Sequence, residues 1–112
     1  MGIKKYTINS QGEIDVYDNV ELRYSDFKEL PYKFGRVDGY FNVMMCLNLK
    51  TLKNCPNEVG GYFSCGFCSQ LDSLEGCPKK VGKDFFYSNC KRKFTEEEVE
   101  SLCKVNNNII RI

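Results

Sequence analysis

A spacing of 22 residues recurs through the middle of the chain and constrains its fold more than any other feature. It links three sets of identical side chains, each member 22 residues from the next: Val37, Val59 and Val81; Phe41, Phe63 and Phe85; and Cys46, Cys68 and Cys90. Self-similarity at a fixed period indicates a repeat architecture, in which each unit buries its apolar face against its neighbours. We therefore expect a solenoid.

A degenerate copy precedes these units, with a small insertion before Val37. It consists of Val20, Leu22, Ser25, Phe27 and Leu30. Further upstream, apolar residues alternate in the segments 6–8 and 14–16, on either side of a turn that contains Gly12. Alternation around such a turn predicts a β-hairpin. We expect this hairpin to cap the first coil.

The period changes after Cys90. Thr95 and Glu98 have the spacing of a capping box, which predicts a helix beginning at Thr95. Val99, Leu102 and Cys103 would form its apolar face. We expect the helix to end at the asparagines 106–108 and a last strand to cover residues 109–112.

These patterns predict one mainly β domain over residues 1–112. Its expected parts are a hairpin cap in 1–19, repeats with parallel strands in 20–90, and a helical cap with a terminal strand in 91–112. An apolar fraction of 42% with 28% charged residues is ordinary for a folded domain.

The spacing resembles that of a leucine-rich repeat, whose unit has 20–29 residues with Asn or Cys at the corner. Phe41, Val43 and Cys46 match the strand and corner, and Leu49, Leu52 and Pro56 match the return path. The segments LPYKFGRVDGYF, VGGYFSC and SLEGCPKKVGKDFFYSN are also similar to a family of short phage-encoded repeat proteins. This resemblance implies the fold, and it suggests by association an inhibitor of host defence of the anti-CRISPR type.

The chain has seven cysteines and no histidine. Cys65 and Cys68 have the spacing of a zinc half-site or a redox pair. The repeat offers another explanation, because Cys46, Cys68 and Cys90 fall at one corner and Cys55 and Cys77 at another, where buried thiols act as small apolar groups. We expect no metal, cofactor or disulfide, although neighbouring ladder cysteines are close enough to oxidise in vitro.

No catalytic motif or phosphate-binding loop is visible, so we expect a binding module and not an enzyme. The chain has no apolar run long enough to span a membrane and no signal peptide is visible at its N-terminus. We expect a cytoplasmic protein, located in the host cytoplasm if a phage encodes it, with no membrane contact and no small-molecule substrate.

Strand alternation predicts which side chains face outward. With Phe41 and Val43 inward, the expected partner-binding residues are Tyr40, Asn42, Met44, Tyr62, Ser64 and Phe86. Met45 and Phe67 follow at the corner, either extending this surface or turning inward to fill the corner. An exposed apolar patch of this kind is typical of an interface, with either a partner or a second copy.

A basic cluster around the third repeat provides an alternative site, for RNA. Its residues are Lys79, Lys80, Lys83, Lys91, Arg92 and Lys93. Three hypotheses follow: a module that binds a host protein such as a CRISPR effector nuclease, a module that binds RNA or the effector's guide-RNA complex, and a self-associating structural or regulatory phage protein. The first is the preferred interpretation.

Overall fold

In the computed structural model, which describes residues 5–112, the chain winds into stacked coils that each contribute two short strands. Residues 1–4, on which the expected lack of a signal peptide partly rests, lie outside the described residues. In chain order the elements are β1 (Tyr6–Ile8), β2 (Ile14–Val16), β3 (Val20–Glu21), β4 (Phe34–Val37), β5 (Phe41–Asn42), β6 (Glu58–Val59), β7 (Phe63–Ser64), β8 (Lys80–Val81), β9 (Phe85–Tyr87), α1 (Glu96–Leu102), β10 (Lys104–Val105) and β11 (Ile109–Arg111).

The strands form two sheets that run along the solenoid. Sheet A has the order β1-β2-β4-β6-β8-β10, and sheet B has the order β11-β9-β7-β5-β3. Every pairing is parallel except that of β1 with β2. The predicted class, a small mainly β solenoid with parallel strands, is confirmed.

The repeat sets the register of sheet B directly. Phe41 pairs with Phe63, and Phe63 pairs with Phe85. All three rings are fully buried, with centroids 6.1 Å apart in the first pair and 5.0 Å in the second. Stacked aromatic rings therefore form the centre of the core, because each coil buries its ring against the ring of the next coil.

The valines of the repeat form a second strand, where the sequence predicted only one strand per unit. Val37 pairs with Val59, and Val59 with Val81, in sheet A. Glycines lie between the two strands of the three coils that contain the 22-residue repeat, and there the backbones of adjacent coils come very close. A Cβ at Gly82 would collide with the carbonyl oxygen of Gly60. This turn is tight enough to let strands form on both sides of it.

The N-terminal hairpin is confirmed, with Tyr6 opposite Val16 and Ile8 opposite Ile14. The insertion before Val37 is a bulge, because one residue lies between Ile14 and Val16 on β2 while two lie between Phe34 and Val37 on β4. The bulge adds one residue to the coil without changing which side chains point inward.

The capping box at Thr95 and Glu98 is also confirmed, but the predicted end of the helix is wrong. The helix ends at Leu102, and the extended residue Cys103 donates its N–H to the Val99 carbonyl. The chain then forms β10 and β11. Helix α1 is therefore the return segment of a coil, and one more pair of strands follows it.

The last strand is also held by Arg111. Its guanidinium lies 5.6 Å from the Tyr87 ring centroid and donates to the Phe94 carbonyl.

We expect Phe63→Ala to lower the free energy of unfolding by about 3–5 kcal/mol, because it removes the ring between Phe41 and Phe85 and leaves a cavity. Chemical denaturation monitored by circular dichroism measures this change. Gln70→Ala, at an exposed position of the same repeat unit, is the control and should change stability by less than about 0.5 kcal/mol. Equal stability of the two variants would contradict the stacked core.

Candidate interaction surface

The outward face of sheet B carries a row of three aromatic side chains, Tyr40, Tyr62 and Phe86, here called the aromatic row. The rings of Tyr40 and Tyr62 stack with centroids 4.6 Å apart and an interplanar angle of 12°. Phe86 meets Tyr62 edge to face at 5.6 Å. All three are half-buried, so each ring keeps part of its surface in solvent. The structure thus brings together the three predicted aromatic partner residues.

A groove of about 420 Å³ runs beside the aromatic row. Five of the six predicted partner-binding residues line it: Asn42, Met44, Tyr62, Ser64 and Phe86. Arg23, Lys83, Asp84 and Ile112 complete the lining. Sequence reasoning did not assign Arg23, Asp84 or Ile112 to a site, and Lys83 was placed in the basic cluster. The strand register could have identified Arg23 and Ile112, because both lie in the same row across the sheet as Met44.

The prediction that Asn42 and Ser64 are exposed on this surface is wrong, because each is only 3% exposed. Their short side chains lie among the larger residues of the outward face and are covered by them. Asn42 donates to both carboxylate oxygens of Glu21, at 3.3 and 3.2 Å, and accepts the Met44 N–H at 2.9 Å. Asn42 is therefore saturated by internal hydrogen bonds, and it shapes the groove floor without offering a free group.

Ser64 differs from Asn42 because its hydroxyl is unpaired. Within the described part of the chain, the buried Oγ of Ser64 has no hydrogen-bond partner. Leaving a buried hydroxyl unpaired costs free energy, and such groups are few in folded proteins. Ser64 is therefore an unsatisfied group inside the protein, and its oxygen is not exposed at the surface of the groove.

The corner that follows sheet B carries a second row of large apolar residues, Tyr24, Met45 and Phe67, here called the corner row. All three have left-handed backbone, with φ of 62°, 61° and 56°. Non-glycine residues rarely adopt this conformation, and it costs about 1–2 kcal/mol per residue. Tyr24 is 65% exposed and Phe67 is 44% exposed. Of the two readings of Phe67, the structure supports an outward side chain.

An ion pair lies at the end of the outward face nearest the N-terminus. The Nε of Arg23 contacts a carboxylate oxygen of Glu21 at 2.9 Å. Burial, followed by the nearby charge of Glu21, raises the pKa of Tyr40. Burial also raises the pKa of Tyr62, with Tyr40 as the next cause. Both phenols are therefore protonated at neutral pH and can donate hydrogen bonds.

The six basic residues of the predicted RNA site are divided among different parts of the coil. Lys80 lies in sheet A, while Lys83 lines the groove on sheet B. Arg92 is engaged locally, since its guanidinium contacts the Glu98 carboxylate at 2.7 and 3.1 Å and covers the Phe94 ring at 4.7 Å. The cluster in the sequence does not become one continuous basic face.

A larger groove of about 640 Å³ lies on the other side of the coil, and Lys79 is one of the residues that line it. Lys33 and Lys53, which the sequence did not single out, also line it. The ammonium of Lys33 donates to the carbonyls of Phe34 and Cys55 at 2.8 and 2.9 Å, so this lysine supports the backbone.

The cysteines form the packing ladders that the repeat predicted. The thiol of Cys46 donates to the Leu22 carbonyl and that of Cys68 to the Val43 carbonyl, both at 3.1 Å. Cys90 repeats the contact with the Cys65 carbonyl at 3.9 Å. Each of these three thiols therefore bonds to the coil before it, and all seven cysteines are free thiols.

In the part of the chain from residue 5 to residue 112, no three histidine, cysteine, aspartate or glutamate side chains are grouped to hold a metal ion. Across the same residues, no helix has the length and apolar character needed to cross a membrane. Comparisons with protein-family profiles, curated proteins and solved structures found no match. The fold and its surface define the chain as a small parallel β-solenoid with an aromatic outward face.

Burial of the thiols predicts a loss of stability at alkaline pH. Burial raises the pKa of Cys68 and of Cys77 to about 12, from an ordinary value near 9. Above pH 9 the unfolded chain loses these protons while the folded chain keeps them, so the free energy of unfolding falls as pH rises from about 9 to 12. Urea titrations at several pH values measure the slope.

Cys77→Ala tests the cause of this slope. It removes one titrating group, so its stability should fall less steeply above pH 9 than that of the unaltered protein. Gln70→Ala is the control and should keep the original slope. A slope that Cys77→Ala leaves unchanged would show that this buried thiol does not contribute to the alkaline loss.

Proposed function

We propose that this protein is a non-enzymatic binding module that contacts a partner protein through the outward face of sheet B and the adjoining corner. The observation that carries the proposal is the corner row, in which large apolar side chains are held on unfavourable backbone and two are clearly exposed. Glycine at these positions would relieve the strain. Contacts with a molecule outside the chain would explain why large side chains occupy these positions, at Tyr24, Met45 and Phe67.

The aromatic row supports the same proposal. Tyr40 and Tyr62 supply rigid apolar area and protonated hydroxyls, a combination enriched where proteins bind each other. Met44, Phe86 and Ile112 extend this area beside the groove. The outward face and corner together provide the apolar centre and polar edge that interfaces commonly have.

A protein partner accounts for this surface better than RNA does. Base stacking would use the same aromatic rings, but the neighbouring phosphates need several accessible cations, and the predicted basic residues lie on different parts of the coil. Glu21 and Asp84 also place negative charge at the aromatic face. A host defence protein such as a CRISPR effector is the partner that the phage-family resemblance suggests, and this identification rests on that resemblance.

Replacing Tyr40 and Tyr62 by alanine together should abolish or greatly reduce partner capture from host cells while leaving the fold intact. Both rings lie on the core's outer side, so their loss removes contact area without opening a cavity among the stacked phenylalanines. Affinity capture with nuclease-treated lysates, followed by mass spectrometry, measures the loss. The double variant Tyr6→Ala/Tyr32→Ala, at exposed tyrosines away from this face, is the matched control and should capture normally.

Three outcomes would contradict this proposal. Capture that survives the double substitution would remove the aromatic row from the interface. Capture lost on nuclease treatment of the unaltered protein would favour the RNA hypothesis. Concentration-dependent dimers that Tyr40→Ala/Tyr62→Ala converts to monomers, with no heterologous partner, would favour self-association, and light scattering measures this directly.

A further inference from the structure

The last coil of the solenoid leaves backbone hydrogen-bonding groups without partners. Strands β10 and β11 end sheets A and B, and no other strand of the described chain lies beyond them. The N–H groups of Lys104, Asn106 and Ile112 donate back to the preceding coil at 2.8, 3.0 and 2.7 Å. Because alternate residues of a strand bond to opposite sides, the N–H and C=O groups of Val105 and Ile109 point away from that coil.

The core is also incompletely covered at this end. Ile109 pairs with the fully buried Phe85 but is itself only partly buried. Val105 pairs with the buried Val81 and is likewise only partly buried. The unpaired backbone groups and the half-covered apolar side chains therefore belong to the same two residues, where a repeat protein needs a cover for its last coil.

The opposite end of the solenoid is closed. The N–H groups of β3 that face β5 are paired across sheet B. Of those that face the other way, the N–H of Asn19 donates to the Asp18 carboxylate at 2.8 Å. The N–H of Arg23 donates to the Glu21 carboxylate at 3.1 Å. The hairpin adds β1 to sheet A alone, so the two sheets also end at different heights there. Both features disfavour head-to-tail addition of another copy.

The last coil is complementary to itself about the turn that joins its two strands. Val105 lies two residues before Asn107, and Ile109 lies two residues after it. A twofold axis through Asn107 places Val105 of one copy opposite Ile109 of a second copy, with the strands antiparallel. Opposed residues that face each other exchange both hydrogen bonds, so every free backbone group of these two residues is paired. The same register places Lys104 opposite Ile110 and keeps like charges apart.

We propose that the end of the solenoid formed by β10 and β11 binds a second copy of this chain in a closed twofold dimer. Strand β10 of each copy pairs with β11 of the other, and the side chains of Val105 and Ile109 cover each other across the contact. A lone strand of an unrelated protein would pair with only one of the two strands, whereas an end of the same shape pairs with both. The assembly stops at two copies because the contact is isologous.

This inference is independent of the proposed partner-binding function and goes beyond it. The dimer leaves the aromatic row of each copy free, so it presents the partner-binding surface twice. A partner that offers two binding sites would therefore be held more tightly by the dimer than by one copy.

Amide hydrogen exchange at several protein concentrations tests the contact in the unaltered protein. The amides of Val105 and Ile109 should become protected as concentration rises, in step with a doubling of the mass measured by light scattering. The amides of Asn106 and Ile112, which already bond to the preceding coil, should change much less. A protein that stays monomeric at millimolar concentration, or that dimerises without protecting Val105 and Ile109, would overturn the proposal.

Charge substitutions at two asparagines test the register. The twofold axis places Asn106 opposite Asn108 of the second copy, and both are exposed, so their replacement should not disturb the fold. Asn106→Glu/Asn108→Glu opposes like charges and should weaken dimerisation at least about tenfold. Asn106→Lys/Asn108→Glu opposes unlike charges and should keep the dimer. Equal dimerisation of these two variants would contradict the proposed pairing.

The dimer can be separated from other contacts. Tyr40→Ala/Tyr62→Ala should leave it intact, since the aromatic row takes no part in it. A dimer lost in that variant would place the contact on the aromatic face and rule out the C-terminal end. Protection of Val105 and Ile109 that arises only when a captured partner is bound would assign the edge to a strand of that partner, and would also rule out the dimer.

Discussion

Parallel pairing of each coil with the next is the constraint on which the rest of this structure depends. Because Phe41, Phe63 and Phe85 pair in register, the paired residues of one repeat coil have equivalent neighbours on the adjacent repeat coil. Inward positions therefore become continuous stacks of rings and thiols. Outward positions become rows by the same geometry, so Tyr40 and Tyr62 stack at one repeat position. Phe86 lies in the neighbouring row, where it pairs with Ser64, and its contact with Tyr62 extends the surface.

The repeat made much of this predictable from the sequence. Identical residues 22 apart fixed which side chains point inward, and that register led to Tyr40, Tyr62 and Phe86 as one surface. The capping box at Thr95 and the hairpin turn at Gly12 are local signals, readable because they depend on few neighbouring residues. These elements needed no knowledge of the tertiary structure.

The remaining features depend on contacts between coils that a repeat pattern does not contain. Strands β6 and β8 have only two residues each, too few for a periodic signal, and they form because the glycine turns bring the coils together. Burial of Asn42 and Ser64 results from the larger side chains around them. The division of the basic residues follows from the path of the coil, which separates Lys80 from Arg92 despite their closeness in sequence.

At the corner after sheet B, the residues present are not those that would make the left-handed backbone most stable. A solenoid selected only for folding would have glycine or asparagine where the backbone is left-handed, as it does at Gly76, with φ of 92°, and at Asn54, with φ of 75°. The corner row instead has Tyr24, Met45 and Phe67 there, although Phe67 remains 44% exposed and contributes little to the core. A binding function explains why large apolar residues occupy these positions.

The most direct test of this account measures unfolding free energy and partner capture in one variant, Met45→Gly/Phe67→Gly. Glycine relieves the left-handed strain, so the free energy of unfolding should not fall, while capture of the partner should be lost or strongly reduced. A variant that loses stability yet captures its partner normally would contradict it, because the corner side chains would then serve the fold and not the interface.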